Sequence, residues 1–215
     1  MTDLATRREF LSRARLYFVA DAATSADVLR AALEGGVDMV QLRDPAVPDP
    51  ELLSAAERFR SACNEHGALF WINDRPDLAL AAGADGVHVG QDDMPVAEAR
   101  RDELLVGLST HSPEQFAAAL RSGADQLSVG PVWETPTKPG RPAAGLGYVR
   151  HAAAAGAGPP WFAIGGIDAS NVEHVVEAGA SRIVVVRAIR DAADPRAAAA
   201  ALRAALDRRP VGAAQ

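Results

Sequence analysis

Only one of the 22 basic residues in this 215-residue chain is a lysine, Lys138, and the rest are arginines. It lies in the segment Gly130-Pro-Val-Trp-Glu-Thr-Pro-Thr-Lys-Pro-Gly140, with the hydroxyls of Thr135 and Thr137 beside it. A lysine ammonium is a compact, mobile point charge suited to following an anion whose charge changes during a reaction. Its retention in an otherwise arginine-only chain points to anion handling; the plainer alternative is a surface lysine in a turn.

Other chemistry-bearing residues stand just after short apolar runs. Gln41-Leu42-Arg43-Asp44 places Gln41 and Arg43 on one side of an extended segment. An arginine turned inward needs a carboxylate or an anionic ligand, although Arg43 could simply pair with Asp44. Asn73-Asp74-Arg75 and Gly90-Gln91-Asp92-Asp93 present carboxylates with amides alongside. That set suits a hard cation such as Mg2+ that takes phosphate oxygens and waters as its other ligands. No clustered His/Cys spacing indicates zinc. The same carboxylates could instead cap the following helices. Ser109-Thr110-His111 offers a serine donor at the end of a run, while His111, just before Ser112-Pro113, reads as a neighbour of a helix cap. His66, His88, His151 and His174 show no ligand spacing and read as structural or exposed. Gly165-Gly166-Ile167 and Val186-Arg187-Ala188 supply bare backbone N–H groups for a phosphate. No compelling nucleophile appears. Two anion sites, one through metal and one through backbone amides, suggest a transferase of small-molecule substrates.

The elements that position these residues follow from the pattern. Apolar runs at Leu16–Ala20, Met39–Leu42, Leu69–Ile72, Gly86–Val89, Leu104–Leu108, Gln126–Val129, Trp161–Ile164 and Ile183–Val186 alternate with helix-length segments. Such runs read as parallel strands buried on both faces. Helix starts carry caps at Ser25, Ser112-Pro113 and Ser170-Asn171. Gly36-Val-Asp, Gly83-Ala-Asp, Gly123-Ala-Asp and Gly179-Ala-Ser precede runs two, four, six and eight. A left-handed glycine closing a helix before every second strand marks four βαβα quarters. The chain therefore reads as one α/β domain, a single (β/α)8 TIM barrel over 1–215, with a lead-in helix at 1–12 and a loose tail at 208–215. In that fold the active site lies at the C-terminal strand ends, where every candidate above falls.

Composition narrows the class. With 48% hydrophobic and 23% charged residues, the chain is typical of a globular protein. A net charge of −6 disfavours nucleic acid as a partner. The one cysteine, Cys63, excludes an internal disulfide and fits a reducing, cytoplasmic setting as core filler. No export signal or membrane-spanning run is evident. Homo-oligomerisation is left open by the composition.

Together, Gln-Leu-Arg at 41–43, Ile-Asn-Asp at 72–74, Gly-Ala-Asp-Gly-Val-His-Val-Gly-Gln at 83–91, Pro-Thr-Lys at 136–138 and Ala-Ile-Gly-Gly-Ile at 163–167 resemble the thiamine phosphate synthase family. They occur in family order, and the similarity spans roughly residues 15–205. The resemblance implies that a pyrimidine diphosphate and a thiazole phosphate, plain or carboxylated, condense to thiamine phosphate as diphosphate departs first. It implies Mg2+ on Asp74 and Asp93, and pyrimidine diphosphate on Gln41, Arg43, Asn73, Ser109 and Lys138. The thiazole phosphate would fall to Thr135, Thr137, Gly166 and the Val186-Arg187 backbone. Arg43, Ser109 and Lys138 are the residues expected to act in catalysis. Two positions depart from the pattern: Pro45 stands where the family commonly has lysine, which Arg75 could replace, and Arg187 stands where serine is frequent. The related thiazole tautomerases share the barrel but would not need the metal carboxylates. A non-catalytic phosphate-binding barrel, with Pro45 as its signature, is the other alternative.

Overall fold

The eight apolar runs become eight parallel strands: β1 (Leu16–Ala20), β2 (Met39–Leu42), β3 (Leu69–Asn73), β4 (Gly86–Val89), β5 (Leu105–Thr110), β6 (Gln126–Val129), β7 (Trp161–Ile164) and β8 (Ile183–Val185). They hydrogen-bond in sequence order, and β8 pairs with β1 (Leu16 opposite Ile183), closing a barrel. The computed structural model describes residues 3–135 and 142–208. Lys138 and Thr137 lie outside the described residues, as does nearly all of the 208–215 segment. Three strands differ in their bounds from the apolar runs. β3 runs on to Asn73, which pairs with His88 of β4. β5 begins at Leu105 and continues through Ser109 and Thr110, because parallel pairing with Ser128 and Val129 of β6 holds these polar residues in the ladder. β8 stops at Val185, because Val186 already turns into the next helix.

Helices α2 (Ala26–Glu34), α3 (Asp49–His66), α4 (Pro76–Ala81), α5 (Val96–Ala99), α6 (Pro113–Ala119), α7 (Gly145–Ala154), α8 (Val172–Glu177) and α10 (Pro195–Asp207) follow the strands in turn, with the short α9 (Arg187–Arg190) inserted after β8. Ser25 and Ser112 accept the Val28 and Gln115 N–H groups as caps. The cap of α8 is Asn171 rather than Ser170: the Ser170 hydroxyl is drawn to the Asp168 carboxylate, while the Asn171 side chain donates to the Gly166 carbonyl at 2.9 Å. Strand alternation sorts two cores. Phe18, Val40, Phe70, Val87, Val106 and Leu127 face the helices. Tyr17, Met39, Trp71, Leu105, Phe162 and Val184 fill the barrel, joined by Leu11 and Ala14 at the end of α1 (Leu4–Arg13), which plugs the N-terminal mouth. Among the described residues no helix is long and apolar enough to cross a membrane.

The Gly-x-Asp repeat has a physical meaning in three dimensions. Gly36, Gly83, Gly123 and Gly179 all have positive φ. The aspartate two residues on then reaches back to the N-terminal N–H of the preceding strand. Asp38 accepts from Leu16 (3.0 Å), Asp85 from Phe70 (2.8 Å) and Asp125 from Val106 (2.9 Å). Each also takes arginines: Arg203 on Asp38, Arg7 and Arg60 on Asp85, Arg8 and Arg100 on Asp125. At the fourth quarter Ser181 replaces the aspartate, and its carbonyl accepts from Arg15.

Candidate active site

A cavity of about 350 Å3 opens at the C-terminal mouth of the barrel, lined from all eight strands or the loops that follow them. Eight of the sequence candidates line it: Gln41, Arg43, Asn73 and Ser109 from the β2–β5 side, Gly166, Val186 and Arg187 from the β7–β8 side, and Thr135 from the loop after β6.

On the β2 side, Arg43 Nε is buried and has no hydrogen-bond partner among the described residues. The alternative pairing with Asp44 is not formed, since the Asp44 carboxylate accepts the Ala22 and Ala46 N–H groups instead. Arg43 itself is half-buried and lines the cavity, and a guanidinium so placed suits an acceptor-rich anion. Below it, the Gln41 amide donates to the Tyr17 hydroxyl at 2.5 Å, and burial raises the Tyr17 hydroxyl far above its ordinary value, keeping it neutral. Arg75, the residue that could stand in for the lysine replaced by Pro45, lies outside the cavity lining. Its guanidinium is held by Asp49 at 2.8 Å and Asp77 at 2.7 Å, two carboxylates at neighbouring helix starts.

Asp74 and Asp93 are outside the cavity lining, at the ends of the neighbouring strands β3 and β4. Asp74 is the one non-glycine among the described residues with a positive φ, at 60°. Its N–H donates to the His88 carbonyl (2.8 Å), and the Arg75 N–H closes onto the Asn73 carbonyl (2.8 Å). Such backbone costs of order 1 kcal/mol and concentrates at functional sites. The Asn73 amide donates to the Asp74 carboxylate, and the Gly90 N–H to Asp93 at 2.9 Å. Neither aspartate occupies a helix-cap position, which belongs to Arg75 for α4 and Pro95 for α5. Among the described residues no three His, Cys, Asp or Glu side chains gather into a metal cage.

On the β7–β8 side, the loop Gly165-Gly166 packs under the segment after β6. Val132 and Trp133 N–H groups donate to the Ile164 and Gly165 carbonyls at 2.8 and 3.1 Å. Gly165 and Gly166 have φ of 109° and 67°, and a Cβ on Gly166 would stand 2.9 Å from Trp133 Cβ, so both steric space and backbone require glycine. Arg187 is exposed, lines the cavity and makes no ion pair among the described residues.

Two histidines that the sequence reads as structural or as a helix-cap neighbour also line the cavity. His88 is buried, lines the cavity and joins Gln126 Oε1 (3.1 Å) and Ser109 Oγ (2.9 Å). His111 does neighbour a helix start, its N–H donating to the Gln115 side chain, but its ring also lines the cavity with Nδ1 2.6 Å from the Gly130 carbonyl. Strand parity was the available signal: Gly86 and His88 share a side, as do Gln126 and Ser128. Which side faces inward is not written in a run apolar on both faces. His66, by contrast, is structural, its ring on the Ala62 carbonyl.

A closed (β/α)8 barrel with a pocket at its C-terminal mouth, lined by Arg43 at one end and bare glycine backbone at the other, defines an anion-suited TIM barrel. Comparison with known proteins narrows this. The chain belongs to the thiamine monophosphate synthase family, whose profile matches residues 16–189. It is 54% identical over 213 residues to the thiamine-phosphate synthase of Saccharopolyspora erythraea, covering 93% of this chain and 96% of that protein. To that of Thermus thermophilus it is 59% identical over 173 residues, covering 80% and 84%. Among solved structures, thiamine phosphate pyrophosphorylase from Pyrococcus furiosus superposes with a TM-score of 0.84 at 33% identity, covering 94% of this chain and 98% of that one.

Proposed function

We propose that this protein joins 4-amino-2-methyl-5-hydroxymethylpyrimidine diphosphate to a thiazole phosphate, releasing thiamine phosphate and diphosphate. The bond from the pyrimidine methylene carbon to the diphosphate oxygen breaks, its electron pair leaving with diphosphate. The thiazole nitrogen lone pair then forms the new C–N bond to that carbon. The observation that carries this reading is one cavity with Arg43, without an ion pair among the described residues, at one end and the Gly165-Gly166 turn at the other. Arg43, with Gln41, Asn73, Ser109 and Lys138, takes the pyrimidine diphosphate and stabilises the charge that builds on the leaving group. Gly166, the Val186-Arg187 backbone, Thr135 and Thr137 take the thiazole phosphate.

The carboxylates fit Mg2+: Asp74 and Asp93 offer oxygen donors at adjacent strand ends, each oriented by a neighbouring N–H, and two carboxylates leave the remaining positions to diphosphate oxygens and water. Bound there, the ion would neutralise diphosphate charge. The single buried Cys63 speaks for a reducing, cytoplasmic location. Incubating the purified protein with both substrates and Mg2+ should yield thiamine phosphate and diphosphate in equal amounts. Turnover of neither substrate under those conditions would overturn the reading.

A further inference from the structure

Beneath the cavity a hydrogen-bonded relay crosses three strands, from Gln126 on β6 through His88 on β4 to Ser109 on β5. Gln126 is fully buried, and His88 and Ser109 are 7% and 8% exposed. The direction of every bond follows from one end. Gln126 Nε2 faces the Leu127 carbonyl at 2.5 Å and the Ser128 hydroxyl at 3.2 Å. A carbonyl only accepts, so the amide nitrogen must point there, which turns Gln126 Oε1 toward His88 Nδ1 at 3.1 Å. Oε1 also only accepts, so His88 Nδ1 carries the proton. In the neutral ring Nε2 is then an acceptor, and the hydroxyl 2.9 Å away is the Ser109 donor. The His88–Gln126 bond passes over β5 where Gly107 lies between them. A Cβ there would come within 2.4 Å of His88 Nδ1 and 2.5 Å of Gln126 Oε1. The strand is bare at the one position where the relay crosses it.

We infer that Gln126 is a positioning residue: it sets the tautomer of His88 and through it the rotamer of Ser109 at the cavity wall. His88 fixes the Ser109 oxygen at the cavity wall, and from there the hydroxyl proton swings about the Cβ–Oγ bond onto a departing diphosphate oxygen. An unpositioned Ser109 would rotate among its staggered rotamers, and misplacement of about 1 Å at a reacting group costs up to roughly 10²-fold in rate. The inference rests on the placement of Ser109 in the proposed site.

A double-mutant cycle tests it with the full-length protein, both substrates and Mg2+. Gln126→Met keeps the volume and removes the acceptor, and should lower kcat about 10-fold or more while moving KM for the pyrimidine diphosphate less. In a Ser109→Ala background the same substitution should change kcat by less than about 2-fold, since the group it positions is gone. The same loss in both backgrounds would overturn the inference and leave Ser109 in the site. Wild-type kcat for Ser109→Ala alone would remove Ser109 from the proposed function and the relay's role with it. Should Gln126→Met fail to fold, nitrogen NMR of the wild-type histidine rings decides, with His88 assigned by its absence in His88→Asn. A proton on Nδ1 and a bare Nε2 are expected; the opposite tautomer overturns the relay.

Discussion

Asp85→Asn isolates what the Gly-x-Asp repeat does for stability. The amide keeps one oxygen to accept the Phe70 N–H at 2.8 Å, so the strand bond survives and only charge is lost. Two arginines lose their partner. Arg7 is 3% exposed and forms an ion pair at 3.1 Å with an Asp85 side chain 9% exposed, and α1 holds it over the barrel floor, where it donates to the Glu103 carbonyl. Leaving such a cation buried costs about 3–5 kcal/mol. Arg60, at 2.8 Å and 21% exposed, can turn to water and adds about 1 kcal/mol or less. For a domain of this size each kcal/mol moves Tm by about 2–4 °C, so a fall of roughly 6–24 °C is expected. Asp125→Asn is the control, with the same local geometry but partners Arg8 and Arg100 that are 50% and 34% exposed. It should cost about 1 kcal/mol or less. Urea titrations of both variants measure this as shifts of midpoint at constant slope. Equal losses in the two, or a loss below about 1 kcal/mol for Asp85→Asn, would refute the argument from burial. Neither change should alter kcat, since both lie at the mouth opposite the cavity.

Gly166→Val adds bulk against Trp133 and forces a β-branched residue to φ 67°, so it should raise KM for the thiazole phosphate far more than for the pyrimidine diphosphate, read in steady-state kinetics. Arg187→Ser should raise KM for the thiazole phosphate if the unpaired guanidinium adds to the backbone contacts; an unchanged KM assigns the phosphate to the backbone alone. Asp74→Asn should weaken Mg2+-dependent diphosphate binding, measured by calorimetry with and without the ion, and leave the melting temperature within a few degrees. Lys138→Ala should lower kcat by about 10²-fold, the range for one electrostatic contact realised in the transition state, with Lys138→Arg recovering part of it. Cys63, its thiol pushed up to about 12 by burial in α3, should resist alkylation at pH 8 until the protein unfolds, as mass spectrometry would show.

The barrel was legible because its signals are local. A run such as Met39–Leu42 or Gly86–Val89 is short, apolar and bounded by turn residues, and it is a strand wherever it goes. Glycine before each even strand marks a left-handed helix end, a constraint set by one residue's own backbone. Chain order alone then lines up the residues after each run, so Gln41, Arg43, Asn73, Ser109, Gly166 and Arg187 could be named before their meeting in one cavity was seen.

What tertiary structure decided was partnership. Arg75 and Arg43 both follow strands and both read as candidate anion contacts, yet Asp49 and Asp77 claim Arg75, while Arg43 lines the cavity with no ion pair among the described residues. His88 reads along the chain as structural or exposed, and only barrel closure, bringing β4, β5 and β6 side by side, leaves Gly107 as the gap through which Gln126 reaches it. The cap of α8 moved from Ser170 to Asn171 because Asp168 competes for the serine hydroxyl. Hydrophobic period and backbone preference act within a few residues and can be read along the chain. Which polar group satisfies which depends on groups far apart in sequence, and only closure of the sheet sets those distances.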